Sequence, residues 1–122
     1  MSNNILDRVL IVDDDPLIAD ILQTQVALSG IDSDTADGGA KALELFAEHN
    51  YKLVITDCSM PVMDGFQLAD ALRQRGFAGP IIGLTGSIVA ASDRGTAMNL
   101  VLNKPLKLDD LNSMLKHWLP ND

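Results

Sequence analysis

Basic residues, cysteines and long apolar runs are all scarce in this sequence. Nine Lys and Arg residues stand against 17 Asp and Glu residues, for a net charge of −8. Because binding to a phosphate backbone requires clustered basic side chains, this balance argues against a nucleic-acid-binding module. No apolar run approaches the roughly 18 residues that cross a bilayer. The one cysteine, Cys58, cannot form an internal disulfide and is typical of a reducing compartment.

Neither a targeting segment nor a second domain is indicated by composition or length. The first residues, Met1 to Asn4, lack the basic start and the apolar core of a signal peptide, so we expect a cytoplasmic protein. Apolar residues make up 47% of the 122 residues and charged residues 21%, which is the balance of a folded globular protein. We therefore expect a single domain over residues 1–122, with its core at about residues 7–120.

The sequence does contain a regular alternation of short apolar runs and helical patterns. Four runs predict strands buried on both faces, at residues 9–12, 53–56, 81–84 and 100–102. A fifth run, residues 31–36, alternates apolar and polar side chains and predicts an edge strand with one wet face. Because right-handed crossovers place helices on both faces of a parallel sheet, this alternation predicts an α/β fold.

Five helices are predicted to connect and follow these strands. The first begins at Pro16, with Asp15 as N-cap, and ends at Gly30. The others lie near residues 39–49, after Asp64-Gly65, and at about 87–98 and 108–119. The helix at 87–98 is the weakest of the five, because Ser, Gly and Thr are poor helix formers.

Each inner strand is followed by residues that carry chemistry. Acids at 13–15 follow the first strand, and Asp57, Thr85 and Lys104 end the third, fourth and fifth. In a parallel sheet, ligands bind at the carboxyl ends of the strands. Crowded carboxylates need a cation, and hard oxygen ligands select Mg²⁺ or Ca²⁺. A metal held between a carboxylate and a phosphate makes that carboxylate a plausible nucleophile, with Lys104 and Thr85 available to stabilise the transferred phosphoryl group.

At these positions the sequence resembles the receiver domains of two-component response regulators and hybrid histidine kinases. The resemblance is carried by VDDDP at 12–16, DCSMPVMDG at 57–65, LTG at 84–86 and KP at 104–105. Any one of these segments is a weak signal, whereas all four in this order and spacing are specific, and they cover nearly the whole chain. The expected fold is therefore a flavodoxin-like (βα)₅ domain, with a five-stranded parallel sheet of order 2-1-3-4-5 and five helices on both faces.

The resemblance implies a role for each residue of the set. Asp57 is the residue phosphorylated, and Thr85 and Lys104 complete the catalytic group by contacting the phosphoryl group. Mg²⁺ is the cofactor, with ligands from Asp13, Asp14, Asp57 and the backbone carbonyl of Ser59. The phosphodonor is a histidine kinase or a histidine phosphotransfer domain, and this domain contacts neither nucleic acid nor membrane. A cis peptide bond between Lys104 and Pro105 is also implied.

The sequence departs from the family pattern in ways that bear on output. Val101 stands where the family often has an aromatic residue that swings inward, so any output must use backbone shifts in residues 85–98. Residues 97–99, Val101 and Leu106 are more similar to the receivers of hybrid sensor kinases, although a stand-alone regulator stays open. Whether the chain counts as an enzyme is also open. The domain itself would carry self-phosphorylation and autodephosphorylation chemistry, and a hybrid parent would be a histidine kinase.

Other functions fit the residues less well. A phosphorylation-independent interaction module is expected to lack one of Asp57, Lys104 or the acidic pair. A haloacid-dehalogenase-type phosphatase needs a second Asp two residues after the nucleophile, where Ser59 stands. A flavodoxin needs a phosphate-binding loop after the first strand, and the acids there would repel a phosphate. We expect Cys58 to be a buried apolar residue and the two histidines to be solvated.

Overall fold

Five parallel strands form the sheet of the computed structural model, which describes residues 8–86, 97–104 and 107–118. They are β1 (Arg8–Val12), β2 (Asp32–Ala36), β3 (Leu53–Asp57), β4 (Ile81–Thr85) and β5 (Leu100–Asn103). Their order is β2-β1-β3-β4-β5, and all four pairings are parallel. The predicted α/β fold and its strand order are therefore confirmed.

Four helices lie within the described ranges. They are α1 (Pro16–Leu28), α2 (Gly39–Glu48), α3 (Gly65–Gln74) and α4 (Leu108–Trp118). The additional helix predicted at 87–98 falls mostly on residues 87–96, outside the described residues, and so does the Pro105 side of the predicted cis bond. None of the helices in these ranges is long and apolar enough to span a membrane.

The predicted helix signals are present at the ends of α1 and α3. Asp15 caps α1 by accepting a hydrogen bond from the Leu17 N–H at 3.0 Å. Gly30 follows α1 with a φ of 78°, a conformation that glycine adopts without a steric penalty. At α3, Asp64 accepts from the Gln67 N–H at 2.8 Å, and the Gln67 side chain accepts from the Asp64 N–H at 2.9 Å. This reciprocal capping box sets the start of α3 directly after the loop that follows β3.

Apolar side chains fill both faces of the sheet, because successive residues of a strand point to opposite sides. On one face Leu10 and Val54 pack with α2 and α3, and Leu68, Ala69 and Leu72 of α3 are fully buried. The other face is covered by α1 and α4, and its core residues are Val9, Ile11, Leu22, Val26, Leu53, Ile55, Ile82, Leu84, Leu111, Met114 and Leu115. Trp118, at the end of α4, also packs against this second cluster.

The two outer strands differ in how well the sequence predicted them. The edge position of β2 was expected from its alternating pattern and is confirmed. The expectation that the fifth strand is buried on both faces is wrong, because β5 lies at the opposite edge and Leu100, Val101 and Leu102 are only half-buried. A strand at an edge has a neighbour on one side only, so it is covered less completely than β1, β3 and β4.

Candidate functional site

The ends of four strands bring the predicted site residues to one edge of the sheet. We call this the carboxyl edge, formed by Asp13, Asp14, Asp57, Ser59, Thr85 and Lys104. Lys104 Nζ lies 3.1 Å from Asp13 Oδ2 and 3.3 Å from Asp57 Oδ1, so a single ammonium group bridges the two carboxylates. The backbone N–H of Lys104 donates to the Thr85 carbonyl at 2.7 Å, which extends the β4–β5 pairing into the site.

The buried carboxylates are held in place by backbone donors. Asp13 is only 2% exposed, and its Oδ1 accepts from the Asp15 N–H at 2.9 Å. Asp57 is 7% exposed, and its Oδ1 accepts from the Ser59 N–H at 3.3 Å. Because each group is tied both to the backbone and to Lys104, its orientation is set before any ligand arrives.

The acidic side chains fit a divalent cation. One carboxylate oxygen from each of Asp13, Asp14 and Asp57 lies within 4.8 Å of the others. Asp14 is exposed whereas the other two are buried, so the group faces solvent on one side. Three carboxylates opposed by one lysine leave an excess of negative charge, and oxygen ligands of this kind suit Mg²⁺. The donor set is thus chemically suited to the predicted metal.

The pKa values at the site reflect this crowding. Burial raises the pKa of Asp57 above its ordinary value, and the negative charge of Asp13 raises it further. The Ser59 N–H and the Lys104 ammonium oppose the rise without cancelling it. For Lys104, burial alone would lower the pKa, but the hydrogen bond to Asp13 and the charges of Asp13 and Asp57 raise it overall. Lys104 therefore stays protonated, while ionised Asp57 is destabilised by its surroundings.

Thr85 and Ser59 lie where the sequence predicted them. Thr85 is the last residue of β4, directly after Leu84, whose register partner in β3 is Asp57. Thr85 is only 5% exposed, so its side chain is enclosed at the site. Ser59 is exposed in the loop two residues after Asp57. Gly65 also borders the site, because a Cβ at this position would overlap with the Asp57 carbonyl oxygen.

Predictions for residues outside the acidic group are also confirmed. Cys58 is buried, and burial raises the pKa of its thiol to about 11, so it behaves as a small apolar residue. His49 and His117 are exposed.

Sequence reasoning missed two features of the described chain. One is Arg73, which forms a hydrogen-bonded network at the other end of the strands, where β4 and β5 begin. The other is the left-handed backbone of Val62, with a φ of 72°. An arginine in the last turn of a helix is ordinary, and backbone dihedrals have no signature at a β-branched residue, so neither gave a usable signal.

Comparison with known proteins agrees with this geometry. A family model described as the response regulator receiver domain matches residues 9–116. Sensor protein EvgS of Escherichia coli strain K12 is 43% identical over 110 residues, which cover 88% of this chain and 9% of EvgS. Sensor histidine kinase RcsC of the same strain is 32% identical over 118 residues, covering 94% of this chain and 12% of RcsC. This chain thus spans about a tenth of the length of either relative.

Solved structures show the same architecture. The response regulator TrrA of Thermotoga maritima, in complex with Mg²⁺ and BeF, has a TM-score of 0.85 and 34% identity, over 93% of this chain and 99% of TrrA. The chemotaxis protein CheY4 of Vibrio cholerae has a TM-score of 0.87 and 28% identity, with the same coverage of the two chains. A third structure, at 33% identity and a TM-score of 0.82 over 93% of this chain and 98% of the matched chain, is histidine kinase ThkA in complex with TrrA. The chain belongs to the response regulator receiver domain family of two-component systems.

Proposed function

We propose that Asp57 accepts a phosphoryl group from a phosphohistidine, with Mg²⁺ bound by Asp13, Asp14, Asp57 and the Ser59 carbonyl. The observation that carries this proposal is the bridging position of Lys104, 3.1 Å from Asp13 and 3.3 Å from Asp57. This lysine brings positive charge to a nucleophile that is surrounded by acids. Together with the three clustered carboxylates, it provides both halves of the charge distribution that phosphoryl transfer requires.

The transfer itself asks little of the protein beyond positioning and charge. A carboxylate oxygen of Asp57 attacks phosphorus, and an O–P bond forms. The P–N bond to the donor imidazole breaks, and its electron pair returns to the ring nitrogen. Lys104 and the Thr85 hydroxyl stabilise the negative oxygens of the group in transfer. When bound, Mg²⁺ supplies the further positive charge that brings the phosphoryl oxygens close to the carboxylates.

The acid cluster also explains why the site depends on a cation. Burial and the charge of Asp13 raise the pKa of Asp57, which favours the neutral form, whereas attack on phosphorus requires the ionised form. A divalent cation beside the three carboxylates reverses this effect, because positive charge stabilises the carboxylate. A cation held by these carboxylates would therefore favour the ionised nucleophile as well as the transferred phosphoryl group.

The proposed partners are a histidine kinase and a histidine phosphotransfer domain. The relatives named as sensor proteins favour a receiver that is part of a hybrid sensor kinase, although a stand-alone regulator is the alternative. In either case residues 1–122 form one receiver domain with its core at about 7–120, located in the cytoplasm. Because Val101 has no aromatic ring, phosphorylation alters a partner surface through the backbone of residues 85–98.

A phosphorylation assay with acetyl phosphate and Mg²⁺ tests the proposal. Wild type should incorporate phosphate when Mg²⁺ is present and not when it is chelated beforehand, and Asp57→Asn should incorporate none in either case. Asp70→Asn is the matched control, because Asp70 is an exposed carboxylate on α3. It should be labelled like wild type. Equal labelling of wild type and Asp57→Asn would contradict the central claim.

A further inference from the structure

The Arg73 side chain forms a dense set of hydrogen bonds on the side of the sheet opposite the acids. It lies in the last turn of α3 and is half-buried. Its guanidinium donates five hydrogen bonds, of 2.6 to 3.0 Å, to the carbonyls of Phe77, Gly79 and Ala97 (twice) and to the side-chain oxygen of Asn99. All of these acceptors are neutral oxygens, so Arg73 holds backbone and amide groups in place through charged hydrogen bonds.

These acceptors lie on two separate segments of the chain. Phe77 and Gly79 precede β4, and Ala97 and Asn99 precede β5. Arg73 thus ties together the amino ends of two neighbouring strands. A name is useful for the residues at the amino ends of the strands. Arg8, Tyr51 and Asn99 lie at or just before the start of a strand, and Asp34 and Arg73 are hydrogen-bonded to them. We call this set the amino edge: Arg8, Asp34, Tyr51, Arg73 and Asn99.

Asn99 couples Arg73 directly to the pairing of β4 with β5. Its Oδ1 accepts from Arg73 Nη2 at 2.9 Å and also from the Ile81 N–H at 2.9 Å. Its own N–H donates to the Ile81 carbonyl at 2.8 Å. The first residue of β4 is therefore bonded to Asn99 twice, and Arg73 holds Asn99 in the orientation that makes both bonds possible.

The same two strands deliver residues of the phosphoryl-transfer site at their other ends. β4 ends at Thr85, and Lys104 directly follows β5. Between the two edges, β5 pairs with β4 in register from Leu100 opposite Ile82 to Asn103 opposite Thr85. Because β5 is only half-buried, core packing resists its displacement less than it does for an inner strand. Its position along the sheet depends accordingly on its pairing with β4 and on the bonds at its two ends.

We propose that Arg73 is a positioning residue for phosphoryl transfer: through Asn99 and β5 it sets the place of the Lys104 ammonium relative to Asp57. This inference rests on the proposed function. An extended strand is stiff along its axis, so a shift at Asn99 is carried to Lys104, where the distances of 3.1 and 3.3 Å tolerate little displacement. Asp13 and Asp14 follow β1 and Asp57 ends β3, so Arg73 acts on the rate of transfer and leaves metal binding unchanged.

The test compares Arg73→Ala and Arg73→Lys with the control Arg75→Ala. Lysine keeps the charge but cannot reproduce the fork of donors, and Arg75 is an exposed arginine at the end of the same helix. With acetyl phosphate, both Arg73 variants should be phosphorylated about 10- to 100-fold more slowly than wild type, the scale of a small misplacement of a catalytic group. The dissociation constant for Mg²⁺ should stay within about twofold of wild type, since the metal ligands lie on other strands. Arg75→Ala should match wild type in both measurements.

Amide hydrogen exchange supplies the readout that activity alone cannot give. In the Arg73 variants the N–H groups of Asn99 and Lys104 should exchange faster together, because both join β5 to β4. The Cys58 N–H, which joins β3 to β4 at Leu84, should exchange as in wild type. Should Arg73→Ala not fold, Arg73→Lys carries the test with its charge and stem retained.

Two outcomes would overturn the inference. One is a wild-type rate in both Arg73 variants. The other is weaker Mg²⁺ binding with faster exchange at all three amides, which would mean that Arg73 only stabilises the fold. Asp57→Asn in the same assay separates this claim from the proposed function. If wild type is labelled and Asp57→Asn is not, the phosphoacceptor role stands whatever the Arg73 variants do.

Discussion

At the carboxyl edge three carboxylates face one ammonium group, whereas at the amino edge each described charge is either paired with an opposite charge or fully hydrogen-bonded. Arg8 pairs with Asp34 at 3.0 Å, and the Tyr51 hydroxyl donates to the other oxygen of Asp34 at 2.7 Å. Arg73 is surrounded by acceptors. Like charges held close together cost stability, whereas charges that are paired or fully hydrogen-bonded do not carry that cost, so the carboxyl edge is destabilising and the amino edge is not.

Backbone conformation divides the same way. Between the helices and the strands that follow them, the positive φ angles belong to Gly30, after α1, and Gly76, after α3. In the loop after β3, a positive φ falls on Val62. Its φ of 72° accompanies a hydrogen bond from the Met63 N–H to the Pro61 carbonyl. Left-handed backbone strains a β-branched residue and does not strain glycine. A β-branched residue with left-handed backbone thus lies in the loop that follows Asp57, whereas the left-handed residues before β2 and β4 are glycines.

The largest effect should come from breaking the amino edge. Arg73→Ala removes five hydrogen bonds made by a charged donor, and we expect the free energy of unfolding to fall by about 3 kcal/mol. Urea denaturation measures this, with Arg75→Ala as the control for loss of a positive charge. A fall equal to that of the control would mean that water replaces these bonds without cost.

At the carboxyl edge the corresponding change should stabilise the protein. Asp57→Asn replaces a buried carboxylate by a neutral group of the same shape, and we expect the free energy of unfolding to rise by about 1 kcal/mol at neutral pH without Mg²⁺. The pKa of Asp57 is raised in the folded state, so folding favours its protonated form. The cost of ionised Asp57 is therefore absent below the unfolded pKa and develops as pH rises through the folded one.

Urea denaturation of wild type and Asp57→Asn from acid to neutral pH measures the difference. The difference in the free energy of unfolding should vanish at the acid end and reach its full size at neutral pH. Saturating Mg²⁺ should stabilise wild type more than Asp57→Asn, because the variant lacks one of the three clustered carboxylates. A constant difference across the pH range would contradict the assigned cause.

The smallest effect is expected at Val62, which is fully exposed. Val62→Gly removes the strain of the left-handed backbone but adds freedom to the unfolded chain, so the net gain should be about 0.5 kcal/mol. Val62→Ala keeps a Cβ and is the matched control, with a smaller gain. Thermal melting without Mg²⁺ ranks the three proteins. A loss of stability in the glycine variant would show that this conformation is not strained.

The carboxyl edge could be predicted almost completely because parallel strands present their ends on one side of a sheet. Asp13 and Lys104 are far apart in sequence, yet an acid after the first strand and a base after the fifth lie at the same end of a parallel sheet. The capped starts of α1 and α3 were predictable for a similar reason, since caps depend on neighbouring residues. The partial burial of β5 was not predicted from its apolar run, because such a run reads the same in an inner strand and in an outer one, although the strand order implied by the resemblance already placed β5 at an edge.

The sequence by itself determined the alternation of strands and helices, the residues at the strand ends and the kind of chemistry they perform. Only the tertiary structure decided the bridge from Lys104 to two carboxylates, the raised pKa of Asp57 and the network of Arg73. Desolvation and charge interactions depend on groups brought close by folding, and the acceptors of Arg73 are mainly backbone carbonyls, which every residue possesses. Local signals in a sequence specify neither these electrostatic interactions nor the acceptors of Arg73.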